Sequence, residues 1–259
     1  MRASFACASV ATAIFAIASL SSALADWQVA RTQSLGTLSG GADVREVEVL
    51  GNGIPSRLIA ILFSEKTHTL RVVDSPVPGT TRLATMLADA GILAGVNGSY
   101  FHEDYRPLGL VIARGQKLHE QERAKLLSGI VATRKSQIAI VRSQAFRPGP
   151  DVRDALQAGP MLVEFAKPVV GLNATRAARR TLIATDGRGR WALMILTSLT
   201  LSDTASLLAT PGILEGFRVT TALNLDGGSS TGLWAATTPR ATSFQEINPV
   251  RNSLGIVPR

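Results

Sequence analysis

Residues suited to binding an anion are clustered in four short segments. The strongest is Asn224-Leu225-Asp226-Gly227-Gly228-Ser229-Ser230, where an apolar run ends in a carboxylate, two glycines and two hydroxyls. Paired glycines let the backbone turn tightly and approach a ligand, and their amides can cradle an anion. The plain alternative is an Asp-Gly turn in which Asp226 bonds its own backbone. Asn97-Gly98-Ser99-Tyr100-Phe101 also follows a short apolar run. Asn97 offers an amide there, and Gly98 permits an unusual backbone angle. Arg179-Arg180-Thr181 brings a planar fork of donors that suits phosphate. Gln157-Ala158-Gly159-Pro160-Met161 reads as a turn before a strand.

Other chemistries fit less well. Gly228-Ser229-Ser230-Thr231-Gly232 matches the serine-hydrolase elbow, but that arrangement needs an acid and then a histidine later in the chain. His68, His102 and His119 all precede it, and no Asp follows. Gly187-Arg188-Gly189-Arg190-Trp191-Ala192 resembles a dinucleotide loop, yet the residues beyond it read as strand, so no helix N-terminus would face a pyrophosphate. His119-Glu120-Gln121-Glu122-Arg123 lacks the second histidine of a zinc helix. No cofactor is expected, although oxygen-ligated Ca²⁺ or Mg²⁺ near Asp226 stays compatible with the residue types. Glu103 and Asp104 are further carboxylates close to the Asn97 segment, and solvated loop acids are the simpler reading of them.

The elements that must hold these segments are mostly strands. Alternation or short apolar runs predict strands over 44–50, 57–63, 69–73, 93–96, 108–112, 138–141, 161–165, 181–185, 191–197, 220–225 and 254–257. Asp186-Gly187-Arg188-Gly189 predicts a hairpin turn between two of them. Helical spacing of Leu83, Met86, Leu87 and Ala90 predicts a helix over 81–90, and Ser202 or Asp203 is expected to cap another that ends near Ala209. Many strands with two helices and no regular βαβ alternation predict a single α+β domain built on a mixed sheet.

Taken together, in this order and spacing, the four segments resemble the phosphodiester glycosidase family. The likeness runs from about Leu93 to the C-terminus. It includes Pro107-Leu108-Gly109-Leu110 and Gly115 after the first segment, and Asn252-Ser253-Leu254 near the end. The chain departs from the family pattern at Ser99 and Tyr100, where glycine and phenylalanine are common. The resemblance implies hydrolysis of a sugar-1-phosphodiester, with Asp226, Arg180 and Asn97 as catalytic residues and Asp226 serving as nucleophile, as base for water or as a group that binds a hydroxyl. It places Gly98, Thr181, Gly227, Gly228, Ser229 and Ser230 around the substrate. A phosphate leaving group is already a weak base, so such a site needs donors for the phosphate and one carboxylate for the sugar, rather than the two carboxylates of an ordinary glycosidase. Arg180 and the Gly227 and Gly228 amides would supply the donors, while Asn97 and Ser229 would position oxygens.

Composition agrees with an anionic ligand met outside the cytoplasm. The 259 residues carry 27 Lys and Arg against 19 Asp and Glu, a formal charge of +8. Such a surface concentrates anions, and phosphorylated sugars or acidic envelope glycans fit better than nucleic acid, for which no recognition motif is present. Met1-Arg2, the apolar run Phe5–Leu20 and Ala23-Leu24-Ala25 form a signal-peptide pattern with cleavage expected before Asp26. The run of about 16 residues is short of the roughly 20 that a spanning helix needs. Residues 26–259 are then the domain, with no membrane span expected and a periplasmic or secreted location. Cys7, the single cysteine, falls within the leader, so no disulfide or thiolate chemistry is expected in the mature chain. The same residues without turnover would make a binding module for envelope glycans or sugar phosphates.

Overall fold

The computed structural model describes residues 27–259 except 76, 78, 80 and 136, so the leader expected over 1–25 lies outside the described residues. Strands, numbered in chain order, form three sheets. The largest runs β1 (Gln28–Thr37), β2 (Asp43–Gly51), β3 (Ile54–Ser64), β14 (Arg190–Leu199), β13 (Ala178–Thr185), β15 (Thr221–Asn224), β11 (Met161–Glu164) and β12 (Lys167–Pro168). A second runs β7 (Gln116–His119), β6 (Val111–Ala113), β10 (Val152–Ala158), β8 (Gly129–Arg134) and β9 (Gln137–Arg142). The third runs β17 (Thr242–Phe244), β16 (Leu233–Ala235), β5 (Ala94–Asn97), β18 (Asn252–Pro258) and β4 (His68–Asp74). Two helices, α1 (Leu83–Asp89) and α2 (Leu201–Ala209), complete the regular structure apart from two single-turn 3-10 segments.

The expected α+β domain is thus dominated by sheet, and the expected mixed pairing is corrected. Every strand pair among the described residues runs antiparallel, including pairs distant in sequence such as β3 with β14 and β5 with β18. Among the described residues only two helices are present to make crossovers, too few for repeated parallel βαβ units.

The largest sheet is buried on both faces, which explains why its central strands read as continuous apolar runs. Along β3, Ile59, Ile61 and Phe63 enter the core shared with the other sheets, while Leu58, Ala60 and Leu62 enter a second core. Successive strand side chains point to opposite faces, so one run serves both cores. β13 divides in the same way, with Ile183 in the first core and Leu182 and Ala184 in the second. Helix α2 closes the second core with Ala205, Leu207 and Leu208. Its cap is Thr200 rather than Ser202 or Asp203. The Thr200 hydroxyl accepts from the Asp203 amide at 3.1 Å and donates to its carboxylate at 2.6 Å, placing the acid in the first turn. α1 is shorter than expected at 7 residues, and the distant Glu246 carboxylate accepts from its Leu83 amide at 3.0 Å.

Candidate active site

β5 and β15 end beside each other, and this brings the first and last chemical segments together. Gly98 follows β5, and its carbonyl accepts from the Asp226 amide at 3.0 Å. Leu225, just past β15, donates from its amide to the Thr181 carbonyl of β13 at 2.8 Å. The core strands therefore dictate where Asp226 sits before any side chain is considered.

Asn97 locks that junction. Its Nδ2 donates to the Asp226 carbonyl at 2.7 Å, while its Oδ1 accepts from the Thr181 hydroxyl at 2.7 Å and the Gly232 amide at 3.1 Å. Asn97 and Thr181 are buried, and their polar atoms face protein. Both were expected to meet substrate; the structure gives them the task of fixing the Asp226 backbone. Gly98 is small for a different reason from the one expected. Its backbone angle is ordinary, but a Cβ there would lie 2.0 Å from Asn252 Oδ1. That oxygen accepts from the Ser99 amide at 2.8 Å, so the asparagine clamps the turn.

The Asp226 carboxyl keeps some exposed surface, yet burial by neighbouring atoms pushes its pKa up to about 6. Hydrogen bonds from the Ser230 side chain and the Gly227 amide hold it below where burial alone would place it. The Gly227 amide thus serves Asp226 rather than standing free for phosphate. Gly227 is required by close approach, since a Cβ would lie 2.7 Å from the Arg179 carbonyl, whereas Gly228 adopts φ 64° over open space. Among the described residues the Gly228 amide has no protein acceptor. Ser229 faces the other way: its hydroxyl accepts from Asn248 Nδ2 at 3.1 Å, and its carbonyl accepts from the Ile247 and Asn248 amides.

Arg180 and Tyr100 complete the cluster. Arg180 is buried and donates from Nε to the Leu199 carbonyl at 2.9 Å and from Nη2 to the Arg176 carbonyl at 2.7 Å. Among the described residues two of its five N–H groups are engaged, and Nη1 has no protein acceptor there. Burial lowers its pKa, with the Tyr100 phenol opposing that shift. The Tyr100 hydroxyl donates to the Gly159 carbonyl at 2.6 Å and accepts from Asn224 Nδ2 at 2.9 Å. Burial, reinforced by the Asp226 charge, raises the phenol well above its ordinary value, so it stays protonated. Tyr100 and Asn224 are motif positions to which the sequence alone assigns no role; a tyrosine beside the turn is the signal that marks them. Asn224 Oδ1 is buried without a partner among the described residues.

The remaining segments play supporting parts. Gln157 lies inside β10 rather than in a turn, and its side chain binds the Leu110 and Glu122 amides and the Glu122 and Leu127 carbonyls. Glu103 and Asp104 are exposed, and the Arg106 backbone amide holds the Asp104 carboxyl below its usual range. No group of three or more His, Cys, Asp and Glu among the described residues is arranged to hold a metal ion.

A sequence model described as phosphodiester glycosidase matches residues 90–257, which takes in all four segments and the whole Asp226 cluster. The chain belongs to the phosphodiester glycosidase family. The uncharacterized protein YigE of Escherichia coli K12 is 32% identical over 89 residues, a match covering 32% of this chain and 35% of that protein. The catalytic domain of zebrafish N-acetylglucosamine-1-phosphodiester alpha-N-acetylglucosaminidase, auto-inhibited by its pro-peptide, superposes with a TM-score of 0.63 at 15% identity over 88% of each chain. A hypothetical protein from Synechocystis superposes with a TM-score of 0.59 at 17% identity, over 85% of this chain and 62% of that one. Both structures share their fold with this chain.

Proposed function

We propose that this protein hydrolyses a sugar-1-phosphodiester outside the cytoplasm, releasing the free sugar and a phosphomonoester. The observation that carries the reading is one raised carboxyl, Asp226, whose charge acts on a protonated tyrosine, Tyr100, that also feels the buried Arg180, all inside the family-matched region. Water adds at the anomeric carbon, the bond from that carbon to the phosphate oxygen breaks, and the electron pair leaves with the phosphomonoester. Asp226 acts ionised, on the sugar side, as nucleophile or as base for water. Arg180 Nη1 and the Gly228 amide receive the charge that develops on the phosphate. Asn97, Thr181 and Gly98 act through Asp226 as positioning residues, and Ser230 steadies its carboxylate. The reaction calls on no strong general acid, because phosphate departs as a weak base. The leader pattern and the positive charge support an exported protein acting on phosphorylated sugars or anionic envelope glycans.

The test is sugar release from a panel of sugar-1-phosphodiesters by the purified chain from Asp26 onward, with and without a chelator. Release should be unaffected by chelation and lost in Asp226→Asn and Arg180→Ala. Because Asp226 works ionised, kcat/KM should rise with pH along a limb near 6. Activity that fell through that same pH would make Asp226 a proton donor instead. Saturable binding without release would replace the enzyme with a glycan-binding module.

A further inference from the structure

A cavity of about 380 Å³ opens away from the Asp226 cluster, where β4, β8, β10 and the turn between β6 and β7 meet. Four cationic side chains line it: Arg71, Arg114, Lys135 and Arg153. Thr133 and the buried Asp154 also line it. β10 runs from Arg153 at this cavity to Ala158 beside Gly159 in the other cluster. At about 3.3 Å per residue that separates the two places by roughly 20 Å.

None of the four cations lies within ion-pair distance of a carboxylate among the described residues, whereas nine other arginines and lysines do. Asp154 is the one acid of the cavity, and its Oδ1 is engaged in construction. It accepts from the Val72 amide at 3.0 Å and the Arg114 amide at 3.2 Å, while the Asp154 amide donates to the Thr133 hydroxyl at 3.1 Å. The carboxylate ties three strand segments together and fixes the cavity wall. Four cations against one acid leave a net excess of three positive charges around a concave space. Arg114, Lys135 and Arg153 are exposed and Arg71 is half-buried, so the like charges share one concave surface in contact with water, and an anion with several oxygens placed among them relieves their mutual repulsion. The volume lies within the range of small-molecule sites, with room for a phosphate and an attached sugar ring.

We propose that this cavity is a second ligand site, taking a phosphate group either free or carried on a sugar. It stands apart from the Asp226 cluster and does not depend on the proposed reaction.

Arg114 and Lys135 make the test clean. Both sit at turn positions with φ of 52° and 50°, a conformation that glycine adopts without strain. Arg114→Gly/Lys135→Gly therefore removes two charges while the fold is kept, and a matching circular dichroism spectrum verifies that. Calorimetric titrations at low salt would use inorganic phosphate, a sugar 1-phosphate and the uncharged sugar, all in the Arg180→Ala background to silence the other site. One saturable phosphate site, weakened about tenfold or more in the double variant and absent for the uncharged sugar, is the expected result. Tighter binding of the sugar phosphate than of inorganic phosphate would identify the carried group as the ligand; equal affinity would identify free phosphate. Absence of saturable binding, or binding that the double glycine variant leaves intact, would overturn the site.

Discussion

Asp226 shows most directly how function opposes stability at a single residue. Its folded pKa, about 6, lies above the ordinary 3.8, so the native state binds a proton more readily than the unfolded chain does. Stability therefore falls as pH rises from about 4 through about 6, and the full penalty is present above that window. A displacement of about two units corresponds to a ceiling of about 3 kcal/mol. Asp226→Asn removes the charge and keeps the size. The variant should be inactive yet more stable at pH 7.5, by up to about 3 kcal/mol in denaturant titrations, with the gain vanishing below about pH 4. An inactive variant that was also less stable at pH 7.5 would mean that the carboxylate's bonds to Ser230 and Gly227 outweigh its dehydration. Tyr100→Phe makes a different prediction. It strips Asn224 Nδ2 of an acceptor and the Gly159 carbonyl of a donor, a change that should cost about 1–2 kcal/mol.

At the scale of elements, the site is the junction of strand ends, and Asn97 is its fastener. Asn97→Ala would leave the Thr181 hydroxyl, the Gly232 amide and the Asp226 carbonyl without their partner. Each unpaired buried group costs on the order of 1–3 kcal/mol, so a loss of at least about 3 kcal/mol is expected by chemical denaturation. Gly98→Ala should be comparably harmful, because the added methyl meets Asn252 Oδ1 rather than open space. Both variants should lose activity through displacement of Asp226. Central strands were legible in sequence wherever one apolar run fed two cores, as in β3 and β13, and the hairpin at Asp186–Gly189 was legible from its turn residues. β1 was not legible, because this edge strand exposes most of its side chains and carries little apolar pattern. β10 was hidden by Gln157 and Asp154, polar residues buried inside a strand because each binds several backbone groups. The motif residues themselves were visible in the sequence. What the sequence withheld was direction: nothing in the spacing told that Asn97 and Thr181 face one another and the Asp226 backbone, or that Ser229 faces Asn248.

Across the whole molecule, charge is the property that joins the two candidate sites. The excess of +8 is not fully absorbed by ion pairs; four cations outside the ion pairs of the described residues surround one cavity, and the buried Arg180 acts on Tyr100 in the other cluster. A positive surface attracts an anionic substrate from beyond contact range and so raises the encounter rate, while the chemical step depends on fixed groups inside the site. Salt acts on these two steps differently. Raising ionic strength from about 20 to about 200 mM shortens the screening length from roughly 20 Å to under 10 Å, which weakens the long-range pull and leaves short contacts nearly intact. For a sugar-1-phosphodiester, kcat/KM should therefore fall several-fold over that range, mainly through KM, with kcat little changed. The Arg114→Gly/Lys135→Gly variant isolates the contribution of the cavity. A flatter salt dependence in this variant with kcat preserved would show that the distant cations help gather substrate. A salt dependence identical to wild type would confine their action to ligands bound in the cavity itself.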